Sequence, residues 1–287
     1  MTKYIHCCKL AIDGILQHMS QSVGTQTKDY QEMRIKGYEM KKITVAQIIT
    51  FLVTLLTIGV NILANALPLN GLYTGDISDR FDIYFVPAGY VFSVWGVIYI
   101  GLLVYALFQV LPAQAGNPVL KKIAPYYWLS SLANIIWIFL WHYQVFSFTV
   151  LFMVLLLISL LIIYRNLEAS EGLSKWMVKL PFSIYLGWIS VATIANFAQW
   201  LYYLEWNGWG IDPAFWAVIM LAVASVLGVL MSWLKNDTPY GLVLIWAFVG
   251  ITVSQAGTGN VVFAAWIGAG LIALSIFVGL LKFKKIY

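Results

Sequence analysis

The fold class is decided by the stretch from residue 145 to residue 164, which reads VFSFTVLFMVLLLISLLIIY and carries no charged side chain. Apolar runs of similar length recur along the chain, and about 20 such residues form a helix that can cross the roughly 30 Å hydrocarbon core of a bilayer. Backbone polar groups inside the hydrocarbon must be satisfied within the protein, so membrane spans are helices or closed barrels. Barrel strands would show about 10 residues of alternating polarity, which this sequence lacks. We therefore predict an all-α, polytopic transmembrane helical bundle.

The composition of the 287-residue chain supports the same class. Hydrophobic residues make up 61% of the chain and charged residues only 10%, whereas soluble domains carry about 25% charged residues. The two cysteines, Cys7 and Cys8, are adjacent and fit neither a disulfide framework nor a zinc-binding spacing. The formal net charge of +5 is explained by membrane topology, as argued below, and we expect no nucleic-acid partner.

Eight apolar segments are predicted to cross the membrane. Pro87 precedes the second segment, and Asp212-Pro213 and Thr238-Pro239 begin the sixth and the seventh, where an N-cap residue followed by proline is typical of a helix start. The seventh segment is the least apolar, because polar and small residues dilute its end. The predicted segments are 43–67, 88–111, 125–142, 145–165, 177–204, 212–234, 238–256 and 260–281.

Basic residues are segregated between the loops that join these eight segments. If the N-terminus lies in the cytoplasm, thirteen lysines and arginines between residues 34 and 285 fall on the inner side, and Arg80 alone falls on the outer side. This is the distribution that the positive-inside rule requires. We therefore predict an even number of spans, both termini in the cytoplasm and a location in the plasma membrane.

The predicted spans hold no Asp, Glu, Lys, Arg or His near their middle. Charges inside the bilayer are typical of proton and ion pathways, so this pattern argues against a proton-coupled pump. It also leaves no general acid, general base, nucleophile or metal-ligand cluster in the spans. We therefore expect no enzymatic activity, no metal site and no obligatory cofactor.

Aromatic and amide side chains follow one face of three spans at helical spacing. Such faces either pack together, with amides as interhelical hydrogen bonds, or enclose an apolar cavity with a few polar anchors, as in small-molecule pockets. Trp95, Trp137 and Trp188 lie deep in their spans, where an indole N–H that faced lipid would stay unpaired, so we expect them to face inward. The three faces comprise Phe92, Trp95 and Tyr99; Tyr127, Ser130, Asn134, Trp137 and Trp141; and Tyr185, Trp188, Ala192, Asn196 and Trp200.

Three further patterns are predicted to serve packing and anchoring. Polar residues form a stripe on the first span, tryptophans near span ends are typical of interface belts, and small residues four apart in the eighth span let helices approach closely. The stripe consists of Thr50, Thr54, Thr57, Asn61 and Asn65, the belt of Trp128, Trp176, Trp206, Trp209 and Trp233, and the small residues are Ala264, Ala265, Gly268, Ala269 and Ala273.

Three motifs occur in order along the second, third and fifth spans. They are PAGYVFSVWGVIY at residues 87–99, Asn134-x-x-Trp137, and a fifth-span pattern of Pro181, Tyr185, Trp188, Ala192 and Asn196. In residue type and spacing they resemble the helix signatures of the tryptophan-rich sensory protein family, also called the TspO or translocator family. The resemblance covers about residues 43–204.

This resemblance implies an organisation in three parts. Residues 43–204 would form the five-helix membrane unit of the family, residues 1–42 a cytoplasmic tail that need not be ordered, and residues 205–287 a three-helix membrane extension. The extension lies outside the five-helix resemblance, and its small residues suggest a role in packing or interaction. Because family members often form dimers, a homodimer is an expected partner besides the lipid bilayer.

The resemblance also implies a ligand. Family members bind tetrapyrroles such as protoporphyrin and haem, and Trp95, Asn134 and Trp188 match pocket positions of the family. We therefore expect a membrane protein of the sensory or regulatory type that binds a small planar hydrophobic ligand, with or without transport of that ligand. The predicted ligand-binding residues are Trp95, Tyr99, Asn134, Trp137, Tyr185, Trp188 and Asn196.

Two other functions stay open on sequence grounds. One is a transporter or channel for a small apolar solute. The other is a porphyrin-degrading enzyme, because Trp95 and Trp188 match positions implicated in such activity in some family members. Sterol binding is not expected, because the family's proposed sterol motif needs a basic residue after its tyrosine, whereas Tyr203 is followed by Leu204 and Glu205.

Overall fold

The computed structural model describes residues 42–284, so the predictions for the N-terminal tail lie outside the described range. All regular elements of this range are helical, and eight of them are long. They are α1 (Val45–Ala66), α2 (Val94–Gln109), α3 (Pro118–His142), α4 (Phe146–Asn166), α5 (Leu180–Tyr203), α6 (Pro213–Leu234), α7 (Thr238–Ser254) and α8 (Gly259–Lys284).

Seven of the described helices are long and apolar enough to cross a membrane. Two of these spans are longer than their core helix, because helical turns from Gly89 lead into α2 and turns from Gly172 lead into α5. Helix α7 is apolar but has only 17 residues, or about 25 Å at 1.5 Å per residue. The predicted polytopic helical bundle is confirmed, and the count of eight spans and their orientation stay predictions.

Helix starts differ from the predicted ones where a cap residue was overlooked. Helix α3 begins at Pro118 rather than near residue 125, because the Asn117 side chain accepts hydrogen bonds from the backbone N–H groups of the first turn. Pro125 lies inside this helix. Helix α7 begins at Thr238 as predicted, but its N-cap is Asp237, whose side chain accepts from the Tyr240 backbone N–H.

The loops of the bundle fall into two groups, at opposite ends. The loops α1–α2, α3–α4, α5–α6 and α7–α8 meet at one end, which we call the upper end; for example, Asn70 of the first loop donates to the backbone oxygen of His142 at the end of α3. The other loops meet at the lower end, where Lys235 forms an ion pair of 3.0 Å with Glu168. Arg80 is the one basic residue among the described loops of the upper end.

The polar stripe of α1 faces α3 and joins the two helices. Asn61 Nδ2 donates to Asn134 Oδ1 at 2.7 Å, and Trp128 Nε1 donates to Thr50 Oγ1 at 2.8 Å. Such bonds between membrane helices contribute about 0.6–2 kcal/mol each. The stripe therefore serves packing at its four buried residues, whereas Asn65 is exposed. Trp128 is half-buried and takes part in this helix contact, and the interface belt stays a prediction.

Helices α6 and α8 approach each other closely at Gly268. A Cβ at this position would lie 2.3 Å from Ser225 Oγ and 2.6 Å from Phe248 Cε2. Ala265 and Ala269 are buried on the same side of α8. The predicted small-residue contact is therefore present at these three positions of α8, whereas Ala273 is exposed.

We expect Gly268→Ala to destabilise the fold by about 1–2 kcal/mol, because the added methyl group overpacks the contact with Ser225 and Phe248. The matched control is Gly270→Ala on the same helix, where an added Cβ meets nothing within 4 Å. Thermal unfolding of both variants in detergent measures the difference. Equal melting temperatures for the two variants would show that α6 and α8 are not held at this distance.

Candidate functional site

A small cavity lies between α2, α3 and α5, below the upper end of the bundle. Four of the sequence-predicted residues line it: Trp95, Trp137, Trp188 and Asn196. The ring centroids of Trp95 and Trp188 are 6.1 Å apart with their planes at 82°, an edge-to-face arrangement that aromatic pairs prefer. Indoles from three helices therefore face one space, which we call the tryptophan cavity.

The other three predicted residues lie one layer behind this lining. Tyr99 stacks on Trp95 with ring centroids 5.5 Å apart, and Tyr185 contacts the same indole at 6.0 Å. Asn134 is fully buried and accepts the hydrogen bond from Asn61 described above. These residues support the lining, and whether any of the seven binds a ligand stays a prediction.

Asn196 is held by hydrogen bonds that cross-link three helices. Its Oδ1 accepts from Trp137 Nε1 at 3.3 Å, and its Nδ2 donates to Thr149 Oγ1 of α4 at 3.0 Å. Its carboxamide is therefore already engaged by the protein. Its role in the cavity wall is to fix the indole of Trp137.

Two buried donors of the cavity wall, in contrast, have no hydrogen-bond partner in the described part of the chain. They are Trp188 Nε1 and Gln199 Nε2, on side chains that are 2% and 4% exposed. A buried donor without a partner costs about 1–3 kcal/mol, so this wall favours a molecule that presents acceptor oxygens. Sequence reasoning missed Gln199, although its position three residues after Asn196 continues the same helix face.

The α1–α2 loop forms the roof of the cavity. Thr74, Val86 and Pro87 of this loop line the space from above. Two residues at the end of α3 hold the loop from one side. Trp141 Nε1 donates to the Thr74 backbone oxygen at 3.2 Å, and the buried His142 ring lies 3.0 Å from Thr74 Oγ1 through Nε2.

Helix α7 holds the same roof from the other side. Ser254 Oγ donates to the Val86 backbone oxygen at 2.7 Å. The Ala88 N–H donates to the Gly250 backbone oxygen at 3.1 Å. The predicted three-helix extension therefore contributes directly to the closure of the tryptophan cavity, a contact that no local sequence pattern indicated.

The enclosed space is small. The tryptophan cavity has a volume of about 60 Å³, which holds a few water molecules, whereas small-molecule pockets are typically about 300–1,000 Å³. The aromatic side chains fill most of the space between the three helices. A flat macrocycle would enter only after the roof or the indoles had moved.

The cavity wall carries no titratable side chain. Its polar groups are hydroxyls, amides and indole N–H groups. Within residues 42–284, no three His, Cys, Asp or Glu side chains come together as a metal site. The chemistry of this wall is therefore that of aromatic surface with a few hydrogen-bond donors.

The chain is similar to one known protein family over most of its length. A family model described as TSPO-like protein matches residues 47–278. The match spans most of the chain and runs past residue 204 into α8, so the family pattern includes helices beyond the predicted five-helix unit. No curated protein and no solved structure matches the chain. On the family match, which covers far more than half of its length, the chain belongs to the TSPO-like protein family.

Proposed function

We propose that this integral membrane protein binds a flat hydrophobic tetrapyrrole, such as protoporphyrin or haem, in the tryptophan cavity, and that it acts as a sensory or regulatory protein. The observation that supports the proposal is the convergence of Trp95, Trp137 and Trp188 on one space that also holds two unpartnered donors. Indole faces suit the macrocycle. The N–H groups of Trp188 and Gln199 suit carboxylate oxygens at its edge.

Binding in this cavity has to be coupled to movement. A tetrapyrrole needs several times the present 60 Å³, so the ligand must select a state in which the α1–α2 loop has lifted or the indoles have turned. A ligand that changes the position of a surface loop gives a partner protein something to recognise. This coupling is the physical basis for proposing a sensory or regulatory role.

The proposed role concerns binding and not catalysis. The cavity wall carries no titratable side chain that could act as an acid or a base, and aromatic surface with fixed donors serves recognition. Porphyrin breakdown by the purified protein under controlled light, lost in Trp95→Ala and Trp188→Ala, would contradict this part of the proposal.

We propose that the protein lies in the plasma membrane and that its lower end faces the cytoplasm. Basic residues of the described part of the chain concentrate at the lower end, as in Lys121 and Lys122 in the first turns of α3 and Arg165 in the last turn of α4, and only Arg80 lies at the upper end. Positively charged loops stay on the cytoplasmic side. We further propose that the protein assembles as a homodimer, as the family resemblance implies.

The proposal predicts saturable quenching of tryptophan fluorescence when protoporphyrin is added to the purified protein. Trp188→Ala should weaken binding at least about tenfold, because it removes both a buried ring face and a donor. Trp188→Phe keeps an aromatic ring without the N–H, so its affinity for protoporphyrin should lie between those of the wild type and of Trp188→Ala. Gln199→Leu should weaken binding less than Trp188→Ala.

The matched control for this experiment is Trp266→Ala, because Trp266 is an exposed indole of α8 that does not line the cavity. It removes one tryptophan from the fluorescence signal without touching the site. If Trp188→Ala and Trp266→Ala bind protoporphyrin equally well, while both remain folded by circular dichroism, the tryptophan cavity is not the binding site.

A further inference from the structure

A second and larger cavity lies at the upper end, on the opposite face of α5 from the tryptophan cavity. We call it the upper groove. Its walls are residues 82–85 of the α1–α2 loop, the last turns of α5, the α5–α6 loop and the first turns of α6. Its volume is about 530 Å³, within the range of about 300–1,000 Å³ that is typical of small-molecule sites.

Six of the residues that line the upper groove are aromatic. The ring centroids of Trp206 and Trp216 lie 5.4 Å apart. The other four are Tyr84, Phe85, Phe197 and Tyr202. The faces of indole and phenol rings carry negative electrostatic potential and attract cations within about 6 Å of the ring. The walls therefore suit an apolar molecule that carries positive charge.

One carboxylate lies at the rim of this aromatic surface. Asp82 lines the groove and is exposed. Among the side chains that the structure describes, residues 42–281, no basic group forms an ion pair with Asp82, and the ion pair found there joins Lys235 to Glu168 at the lower end. The carboxylate is therefore available to pair with a charged ligand.

The whole upper end adds to this local charge. Its described loops carry five carboxylates, and Arg80 is their one basic residue. A surface with charges of one sign raises the local concentration of oppositely charged ligands. Cations are therefore favoured over anions at the exposed mouth of the upper groove. The five carboxylates are Asp76, Asp79, Asp82, Glu205 and Asp212.

The loop that carries Trp206 is held in an unfavourable backbone conformation. Trp209 has φ +54°, and Gly208 and Gly210 on either side also have positive φ. A bulky residue in this region is uncommon and costs about 1–3 kcal/mol. The Asn207 side chain accepts from the Trp209 N–H, and Trp216 Nε1 donates to the Gly208 backbone oxygen at 3.0 Å. The second bond fixes the Trp216 indole in the wall of the groove, and the Trp206 ring packs against it.

From this geometry we propose that the upper groove is a second binding site, and that it takes a lipophilic cation: a bulky apolar molecule with a permanent or protonated positive charge. The aromatic walls hold the apolar body, and Asp82 at the rim pairs with the charge. The site is separate from the tryptophan cavity and does not depend on the tetrapyrrole proposal.

The test uses tetraphenylphosphonium and tetraphenylborate, which have the same shape and opposite charge. Binding to the purified full chain is measured by equilibrium dialysis at a fixed detergent concentration. We expect saturable binding of the phosphonium that weakens as salt is added. Asp82→Asn should weaken it by about fivefold, which is the expected effect of one partly screened charge pair. Tetraphenylborate should bind less tightly than tetraphenylphosphonium. The difference between the two affinities should be smaller in Asp82→Asn than in the wild type.

The matched control is Asp79→Asn, which removes one exposed negative charge from the same end without lining the groove. Equal phosphonium affinity in Asp82→Asn and Asp79→Asn would overturn the proposal. So would equal binding of the two ions to the wild type, which would indicate a groove filled by lipid chains regardless of charge. Protoporphyrin quenching should be unchanged in Asp82→Asn, so a failure here is distinct from a failure of the tetrapyrrole site.

Discussion

Replacing Asp237 with alanine will lower the free energy of unfolding by about 3 kcal/mol, a large effect for a single side chain at a helix end. Asp237 is only 4% exposed, at the lower end. Its Oδ1 accepts from the Tyr240 backbone N–H and from Ser183 Oγ, and its Oδ2 accepts from Tyr164 Oη at 2.5 Å. One carboxylate therefore joins α4 and α5 to the start of α7.

The size of the effect follows from what the substitution leaves behind. Loss of an N-cap costs about 0.5–2 kcal/mol, and each buried hydroxyl left without its partner costs about 1–3 kcal/mol more. Asp237→Asn should cost less than Asp237→Ala, because asparagine caps helices about as well as aspartate and still offers one oxygen. Thermal and denaturant unfolding in detergent measures both variants.

Helix α6 supplies the matched control. Asp212 caps it by accepting from the backbone N–H groups of Ala214 and Phe215, but it is exposed and joins no other helix. Asp212→Ala should therefore cost only about 1 kcal/mol, the ordinary value of a cap. An equal decrease in the free energy of unfolding for Asp237→Ala and Asp212→Ala would mean that the Asp237 carboxylate does not hold α4, α5 and α7 together.

The same residue shows where sequence reasoning about helix ends succeeds and where it stops. Thr238-Pro239 correctly predicted the start of α7, because a proline near the first turn is preorganised for a helix. The predicted N-cap, Thr238, was wrong, because the cap is Asp237 and both residue types cap helices well. The choice depends on Ser183 and Tyr164, which are distant in sequence and lie on other helices.

The helices themselves were predictable because a bilayer leaves few alternatives. An apolar run of about 20 residues has to bond its own backbone, and only a helix does so within one segment. The start of α3 was predicted near residue 125, whereas the helix begins at Pro118 and includes Pro125. Helices in membranes tolerate an interior proline, and the cap that begins this helix is Asn117.

The sequence predicted which side chains turn inward toward the tryptophan cavity, but not which of them line it. Helical spacing indicated that Trp95, Trp137 and Trp188 turn inward, and these three line one space. The expected pairing of a buried indole N–H is found for Trp137 but not for Trp188. Spacing gives the face of a helix but not which layer a side chain reaches, so Tyr99 and Tyr185 were assigned to the lining although they lie behind it.

The roof of the tryptophan cavity could not be predicted from the sequence, for a different reason. The α1–α2 loop has no periodicity to interpret, and its anchors come from the far end of the chain. Ser254 and Val86, which are joined by a hydrogen bond, are 168 positions apart. Contacts of this kind are set by how α7 packs against α5 and against the turn before α2, which follows from the assembled bundle.

Replacing Gly250 with alanine should loosen this roof. Gly250 lies where α7 meets the turn before α2, and an added Cβ would be 2.1 Å from Val91 Cγ2 and 3.0 Å from Pro87 Cβ. Neither neighbour can turn aside easily, because valine is stiff at χ1 and the proline ring is fixed. The segment 87–91 must therefore shift, which weakens the bond from the Ala88 N–H to the Gly250 oxygen.

We expect amide hydrogen exchange at Ala88 and its neighbours in the roof to rise about tenfold or more in Gly250→Ala, which corresponds to local opening made easier by at least about 1.4 kcal/mol. Exchange in α3 and α4 should change little. The control is Gly96→Ala on the neighbouring helix α2, where an added Cβ meets nothing within 4 Å. Unchanged protection of the roof in Gly250→Ala would show that α7 does not hold it.

The same variant links the roof to ligand access. If entry into the tryptophan cavity waits for the segment 87–91 to lift, association of protoporphyrin should become faster in Gly250→Ala, because the competent state is more often populated. Stopped-flow quenching measures this rate, with Gly96→Ala again as the reference. Faster exchange of the roof without faster association would mean that the indoles, and not the roof, limit entry, and that the extension of three helices acts on stability alone.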